Sequence, residues 1–244
     1  MKELKYIGFW LVIGFLGIFA CTDPVEENRQ AIERAYQDSL AQAELDNIAI
    51  DQFIIDNEIN SDDVMLTDNG VRYVILDIGD EVRFPEINDI LSVDLLGQFE
   101  DGTPFETTSK AVASSIDSAT YVENGVDVAL LMEENNYTLN EALTHLSDTE
   151  DALANPFLRT TQSYFPFGYN HTTEGSGLGT TLDIGLRIGL RELIPSLSVN
   201  GVGYIFVPSE VAKGTSGGYT TIYQELIEPN TPLFYKAQLT AIRP

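Results

Sequence analysis

Cysteine is almost absent: the 244-residue chain holds one, Cys21. An intramolecular disulfide is therefore excluded, and so are Cys-type zinc sites and thiolate chemistry after position 21. Histidine is nearly as scarce, with only His145 and His171. His145 falls in a candidate helix and reads as structural. His171 falls in a loop without a second histidine or carboxylate at ligand spacing, so no metal and no cofactor is expected. Basic residues number 13 against 38 acidic ones, a net charge of −25. That surface repels phosphate backbones and excludes nucleic acid as a partner. It also disfavours flat adsorption on anionic lipid heads. There is no Gly-x-x-x-x-Gly-Lys phosphate loop. Gly214-Thr215-Ser216-Gly217-Gly218 fits Gly-x-Ser-x-Gly, but no apolar strand leads into it. Both histidines also precede the serine, which is the wrong order for such a hydrolase.

One long uncharged apolar run is present, Tyr6 to Phe19, behind Lys2 and Lys5. It is short for a membrane span, which needs about 20 residues. A basic start, a short apolar run and a small residue before the break describe a secretory signal over residues 1–20. Cys21 follows Ile18-Phe19-Ala20 as in a bacterial lipobox, which would make it the acylated first residue of the mature chain. The alternative is an uncleaved N-terminal anchor helix. Either reading puts the rest outside the cytoplasm, tethered to a membrane of a bacterial cell envelope. Loss of Lys2, Glu3 and Lys5 with the signal leaves 11 basic and 37 acidic residues, a net of −26. Attachment would then rest on acyl chains, more than one for stable anchoring.

Residues 21–69 read as an acidic tether followed by a helical segment. Between residues 22 and 70 stand 13 acidic and two basic side chains. From about Glu26 to Ile55 the pattern is helical, with Ile32, Tyr36, Leu40 and Ala43 on one stripe that drifts near Leu45 and Ile48. Strand signals begin after Gly70: Val71, Tyr73 and Ile75 alternate with Arg72, Val74 and Leu76. Further strands are expected over Asp89–Leu96, Gly203–Val207 and Leu233–Ile242, with a hairpin turn at Glu100–Thr103. A short helical stretch is expected over Gly189–Leu197, made irregular by Pro195. This is an α+β plan, an antiparallel sheet on one short helix. Residues 109–184 fall outside the plan and read as a mostly helical insertion. It carries candidate capping boxes at Thr138/Glu141 and Ser147/Glu150, expected helices near 126–134, 139–146 and 148–154, and an aromatic cluster over Tyr164–Tyr169.

Two blocks carry a resemblance. The first runs Val93-Asp94-Leu95-Leu96-Gly97-Gln98-Phe99-Glu100-Asp101-Gly102-Thr103-Pro104-Phe105. The second holds Gly189-Leu190-Arg191-Glu192, Val207-Pro208-Ser209-Glu210-Val211-Ala212-Lys213-Gly214 and Ile227-Glu228-Pro229-Asn230-Thr231-Pro232-Leu233. In this order they resemble the FKBP-type peptidyl-prolyl cis-trans isomerases, over about 100 residues within 70–244. The resemblance implies a twisted antiparallel sheet wrapped on a short helix, with an apolar pocket between them for a prolyl side chain.

Carried over residue by residue, the resemblance assigns a site that is about half kept. Phe105 matches the pocket phenylalanine, and Glu106 stands where the family has an aspartate. Leu95 replaces a pocket tyrosine, so that hydroxyl is lost. Leu186 and Arg187 fall on a Val-Ile pair; the backbone N–H of Arg187 is expected to serve a client carbonyl. Leu190 replaces the tryptophan of the pocket floor. Lys213 replaces a tyrosine whose hydroxyl donates to the bound peptide. Ile227 matches a pocket isoleucine, Tyr235 falls on a pocket phenylalanine, and Tyr223 is a loop aromatic overhanging the pocket. The implied function is a membrane-tethered prolyl isomerase and folding helper acting on proline-containing polypeptide clients. The alternative is a non-catalytic protein- or peptide-binding lipoprotein on the same fold.

Overall fold

The computed structural model describes residues 24–149, 167–171, 182–219 and 226–244. The chain divides into two compact units, Met1–Glu44 and Leu45–Pro244. In the first unit the described residues lie in helix α1 (Pro24–Asp56). Here Ile32, Tyr36 and Leu40, the stripe picked out by helical spacing, are exposed. Among the described residues no helix is long and apolar enough to cross a membrane.

The second unit begins with the last turns of α1, where burial sets in. Asp46, Ala49, Ile50, Phe53 and Ile54 are buried, an i, i+3, i+4, i+7, i+8 pattern that presents one helix face. Leu45 and Ile48, off that face, are exposed. The sheet comprises β1 (Met65–Leu66), β2 (Arg72–Asp77), β3 (Ile90–Gln98), β4 (Pro104–Thr107), β5 (Phe167–Asn170), β6 (Val202–Val207) and β9 (Leu233–Arg243). Its order is β1-β2-β6-β9-β3-β4, every pair antiparallel. β5 pairs with the first half of β3 and β4 with the second. Strands β7 (Gly218–Tyr219) and β8 (Leu226–Ile227) form a separate two-stranded ribbon.

Both faces of the sheet are covered. Leu233, Tyr235, Ala237 and Leu239 of β9 alternate toward one core, together with Ile205 and Val207 of β6. Helix α5 (Ile184–Leu193) covers this side with Leu186, Leu190 and Leu193. Phe234, Tyr204 and Phe206 point the other way, onto Ile50, Phe53 and Ile54 of α1. Phe53 stacks on Phe234 with centroids 4.3 Å apart and meets Tyr204 edge-on at 5.5 Å. Each fully buried side chain of this size contributes about 1.5–3 kcal/mol.

Helix α5 starts at Ile184, earlier than expected, and Pro195 stands in a 3-10 turn (Ile194–Ser196) that follows it. Gly185 and Gly189 face the sheet. A Cβ on Gly185 would lie 2.2 Å from Val207 Cγ1, and one on Gly189 2.1 Å from Ile205 Cγ2. The helix thus rests on β6 at a depth that only glycine permits.

Residues 109–184, read as an insertion, contribute α2 (Lys110–Glu123), α3 (Val128–Asn135) and α4 (Leu139–Ser147), with a small core of Tyr121, Val128, Leu143 and Leu146. The Thr138/Glu141 capping box is present. Ser147 ends α4 and donates its hydroxyl to Thr144 O; the helix expected near 148–154 lies, beyond Thr149, outside the described residues. Helix α2 was not expected, because the face it buries is largely small or polar: Ala113, Ser114, Asp117 and Tyr121.

Asp46 ties α1 to the chain after β6. Its buried carboxylate accepts from Ser209 N and from Ser209 Oγ, both at 2.8 Å. Asp46→Ala is expected to lower unfolding free energy by about 1–3 kcal/mol, since it strands two buried donors. Gly189→Ala is expected to cost about 1–3 kcal/mol by overpacking against Ile205, more than the helix-propensity gain of roughly 1 kcal/mol. Urea unfolding of the two variants measures both; an unchanged midpoint in either refutes that assignment.

Candidate functional site

The β3–β4 hairpin builds the first wall. Asp101 Oδ1 accepts from Thr103 N at 2.8 Å, and Gly102 takes φ +82 in the turn. Gly97 pairs with Glu106 while Gln98 pairs with Pro104, so Phe105 is an extra residue in β4. Such a bulge turns consecutive side chains toward one side. Both press on Gly97: a Cβ there would meet Phe105 Cε2 at 2.5 Å and Glu106 Cγ at 2.9 Å. Below them Thr107 Oγ1 donates to Leu95 O at 2.9 Å, and Leu95 N donates to Thr108 Oγ1 at 2.9 Å. The neighbouring Asp94 has its carboxyl raised by burial, partly offset by the Thr108 hydroxyl.

Gly97 also pairs with Tyr235 on its other side. Glu106, Gly97 and Tyr235 therefore form one row across three strands, with no side chain in the middle. Across that gap the Tyr235 hydroxyl donates to the Glu106 carboxylate. The phenol is held well above its ordinary range, first by complete burial and then by the charges of Glu106 and Asp183. The ring of Tyr235 lies edge-on to Phe105, centroids 5.6 Å apart, and Phe99 tilts against Phe105 at 5.0 Å.

Six residues singled out as pocket-lining fall in one apolar cluster: Leu95, Phe105, Leu186, Leu190, Ile227 and Tyr235. None is more than 4% exposed. Each of these side chains is almost wholly covered. Ile227 reaches it from β8. Tyr223 and Cys21 lie outside the described residues, as do Tyr164, Phe165 and Pro166 of the aromatic cluster; the backbone of Phe167–Tyr169 is part of β5.

Two of the assigned groups have partners within the chain. The Arg187 N–H was expected to receive a client carbonyl, but it donates to Asp183 O at 3.0 Å. Because α5 begins at Ile184, Arg187 is already inside its first turn, and its amide is used there. Lys213 was expected to face a client; its Nζ pairs instead with Asp183 Oδ1 at 2.8 Å, with both side chains about one-fifth exposed. Asp183 occupies the N-cap position of α5 yet makes no side-chain cap bond. Sequence reasoning passed over Asp183 and Phe99. The first had a signal, an acidic residue just before a helix start. Ser216 of the Gly-x-Ser-x-Gly match lies in a 3-10 turn (Gly214–Ser216) that leads into β7, not between a strand and a helix.

The raised phenol has a thermodynamic consequence. The folded chain holds the Tyr235 proton more tightly than the unfolded chain does. Stability is therefore fully present below the ordinary tyrosine value of about 10 and falls as pH rises above it. Tyr73 and Tyr204, raised mainly by burial, add to the same fall. Tyr235→Phe is expected to remove about 1.4 kcal/mol of the stability lost between pH 9 and 11. Urea titrations between pH 9 and 11 measure it; an unaltered slope counts against a raised, buried phenol.

No family model matches the chain, and no curated protein matches it. Solved structures do. A peptidyl-prolyl cis-trans isomerase from Pseudomonas syringae is 14% identical, over 84% of this chain and 96% of that one, with a TM-score of 0.40. FkpA from Escherichia coli is 17% identical, over 100% and 87%, with a TM-score of 0.37. The three FKBP domains of wheat FKBP73 are 14% identical, over 74% and 48%, with a TM-score of 0.38. The likeness is coarse, and any chemistry has to be argued from the residues themselves.

Proposed function

We propose that the protein is an FKBP-type prolyl isomerase that assists the folding of exported proteins, held at a bacterial envelope membrane by a lipid on Cys21. The observation that carries this reading is the meeting of Phe105, Leu186, Leu190, Ile227 and Tyr235 around a Glu106 carboxylate held by the Tyr235 hydroxyl. Rotation about an X–Pro bond breaks no covalent bond, so neither a nucleophile nor a metal is required. The barrier is about 18–20 kcal/mol because planarity carries the resonance energy of the amide. A dry apolar wall favours the twisted imide, which has lost resonance charge separation and suffers less from desolvation; that is differential binding of the transition state. Glu106 orients the Tyr235 ring that forms part of the wall. Lys213 and Asp183 stand at its margin.

The second reading is a non-catalytic holder of proteins or peptides. The engagement of both Arg187 N–H and Lys213 within the chain favours it.

Prolyl exchange in a short X-Pro peptide, followed by NMR line shape with the folded chain, separates the two. The isomerase is expected to accelerate exchange, with Phe105→Ala lowering the effect by about tenfold or more, each tenfold being about 1.4 kcal/mol of transition-state stabilisation. No acceleration by the folded protein sinks the enzyme and leaves the holder.

A further inference from the structure

The Lys213–Asp183 pair joins two separate walls of the apolar cluster. Asp183 occupies the N-cap position of α5, where an aspartate ordinarily accepts from a first-turn amide. It makes no such bond. Its Oδ1 lies instead 2.8 Å from Lys213 Nζ, and its charge acts on the Tyr235 phenol. The carboxylate therefore serves the chain after β6 and not its own helix.

The path of the lysine side chain is equally defined. A Cβ on Gly218 would lie 3.4 Å from Lys213 Cδ and 4.0 Å from its Cγ and Cε. The lysine stem thus lies where a side chain on Gly218 would begin. Gly218 pairs directly with Ile227 across the β7–β8 ribbon, and residues directly opposite each other on paired strands share one face. Ile227 is fully buried in the cluster with Phe105 and Tyr235. The methylenes of Lys213 therefore run beside Ile227 on the inner face of the ribbon, with only 17% of the side chain exposed. A lysine can bury its stem in this way while its charged head is satisfied at the end. The backbone closes around it: Gly214 O accepts from Asn230 N at 2.9 Å, which returns the chain after β8 to the residue next to Lys213.

We infer that Asp183 and Lys213 are positioning residues of the prolyl site: their ion pair holds the β7–β8 ribbon to the start of α5, and the lysine stem completes the apolar wall beside Ile227. The inference rests on the isomerase reading. Leu186 and Leu190 move with the helix, and Ile227 moves with the ribbon. The pair thus sets the separation of two walls that receive one prolyl ring. Its role is geometric, because catalysis by a shaped wall depends on where the wall stands.

The full chain is tested as Lys213→Met, Asp183→Asn and Lys213→Arg, by NMR prolyl exchange on a short X-Pro peptide and by backbone amide hydrogen exchange. Lys213→Met keeps an unbranched apolar stem and loses the charge. This variant and Asp183→Asn are expected to speed amide exchange over residues 214–219 and 226–230 by about fivefold, the scale of one partly screened ion pair. Exchange over Val202–Val207 is expected to stay as in the parent. Both variants are expected to lower prolyl acceleration by about fivefold at low peptide concentration. Lys213→Arg keeps the charge and is expected to recover most of both effects. Amide exchange unaltered by both charge-removing variants overturns the inference, whether or not the parent chain is an isomerase. So does a loss that Lys213→Arg shares in full. A parent chain that accelerates no prolyl exchange overturns the isomerase reading and the positioning role with it, and the amide exchange then decides whether the ribbon is held by the pair.

Discussion

Ile205 stands where a Cβ on Gly189 would lie 2.1 Å away, and that close approach sets how deep α5 rests on the sheet. Gly185 repeats it one turn earlier, against Val207. The depth brings Leu186 and Leu190 into the same cluster as Phe105 and Tyr235. It also brings the residue before the helix, Asp183, to the ammonium of Lys213. A longer side chain at either glycine would lift the helix and dissolve these relations together, because the interior has no slack to absorb it.

Gly97 plays the same part within the sheet. A side chain there would stand between Glu106 and Tyr235, and would collide with the Phe105 ring. With the space open, a carboxylate on one strand meets a hydroxyl two strands away. The resemblance treats the changes at Leu95, Glu106 and Tyr235 as separate departures. In the folded chain Glu106 and Tyr235 belong to one interaction across Gly97.

Much of the sheet was legible because its strands alternate. β3 buries every second residue from Leu91 to Gly97, and β9 does so from Tyr235 to Leu239. The Thr138 capping box was legible for the same kind of reason, being a local rule with a local cause. Helix α2 was not, since apolar spacing cannot flag a buried face made largely of Ala, Ser and Asp. On α1 the spacing marked Ile32, Tyr36 and Leu40, yet the face that packs on Phe234 starts at Asp46 with a charged residue. The location of the site could be read through Phe105 and Glu106. The occupation of Lys213 by Asp183 could not, because it depends on where α5 begins.

The second core has a meaning for where this protein can be divided. By sequence, residue 70 looks like a natural place to start a minimal domain. Yet among the described residues Ile50, Phe53 and Ile54 supply the helical cover of Val74, Tyr204, Phe206 and Phe234. A fragment cut at residue 70 would carry those aromatics on a bare face and would leave Ser209 without the Asp46 carboxylate. The autonomous folding unit therefore starts inside a helix rather than at the turn that follows it, and what reads as a tether is in its last turns part of the interior.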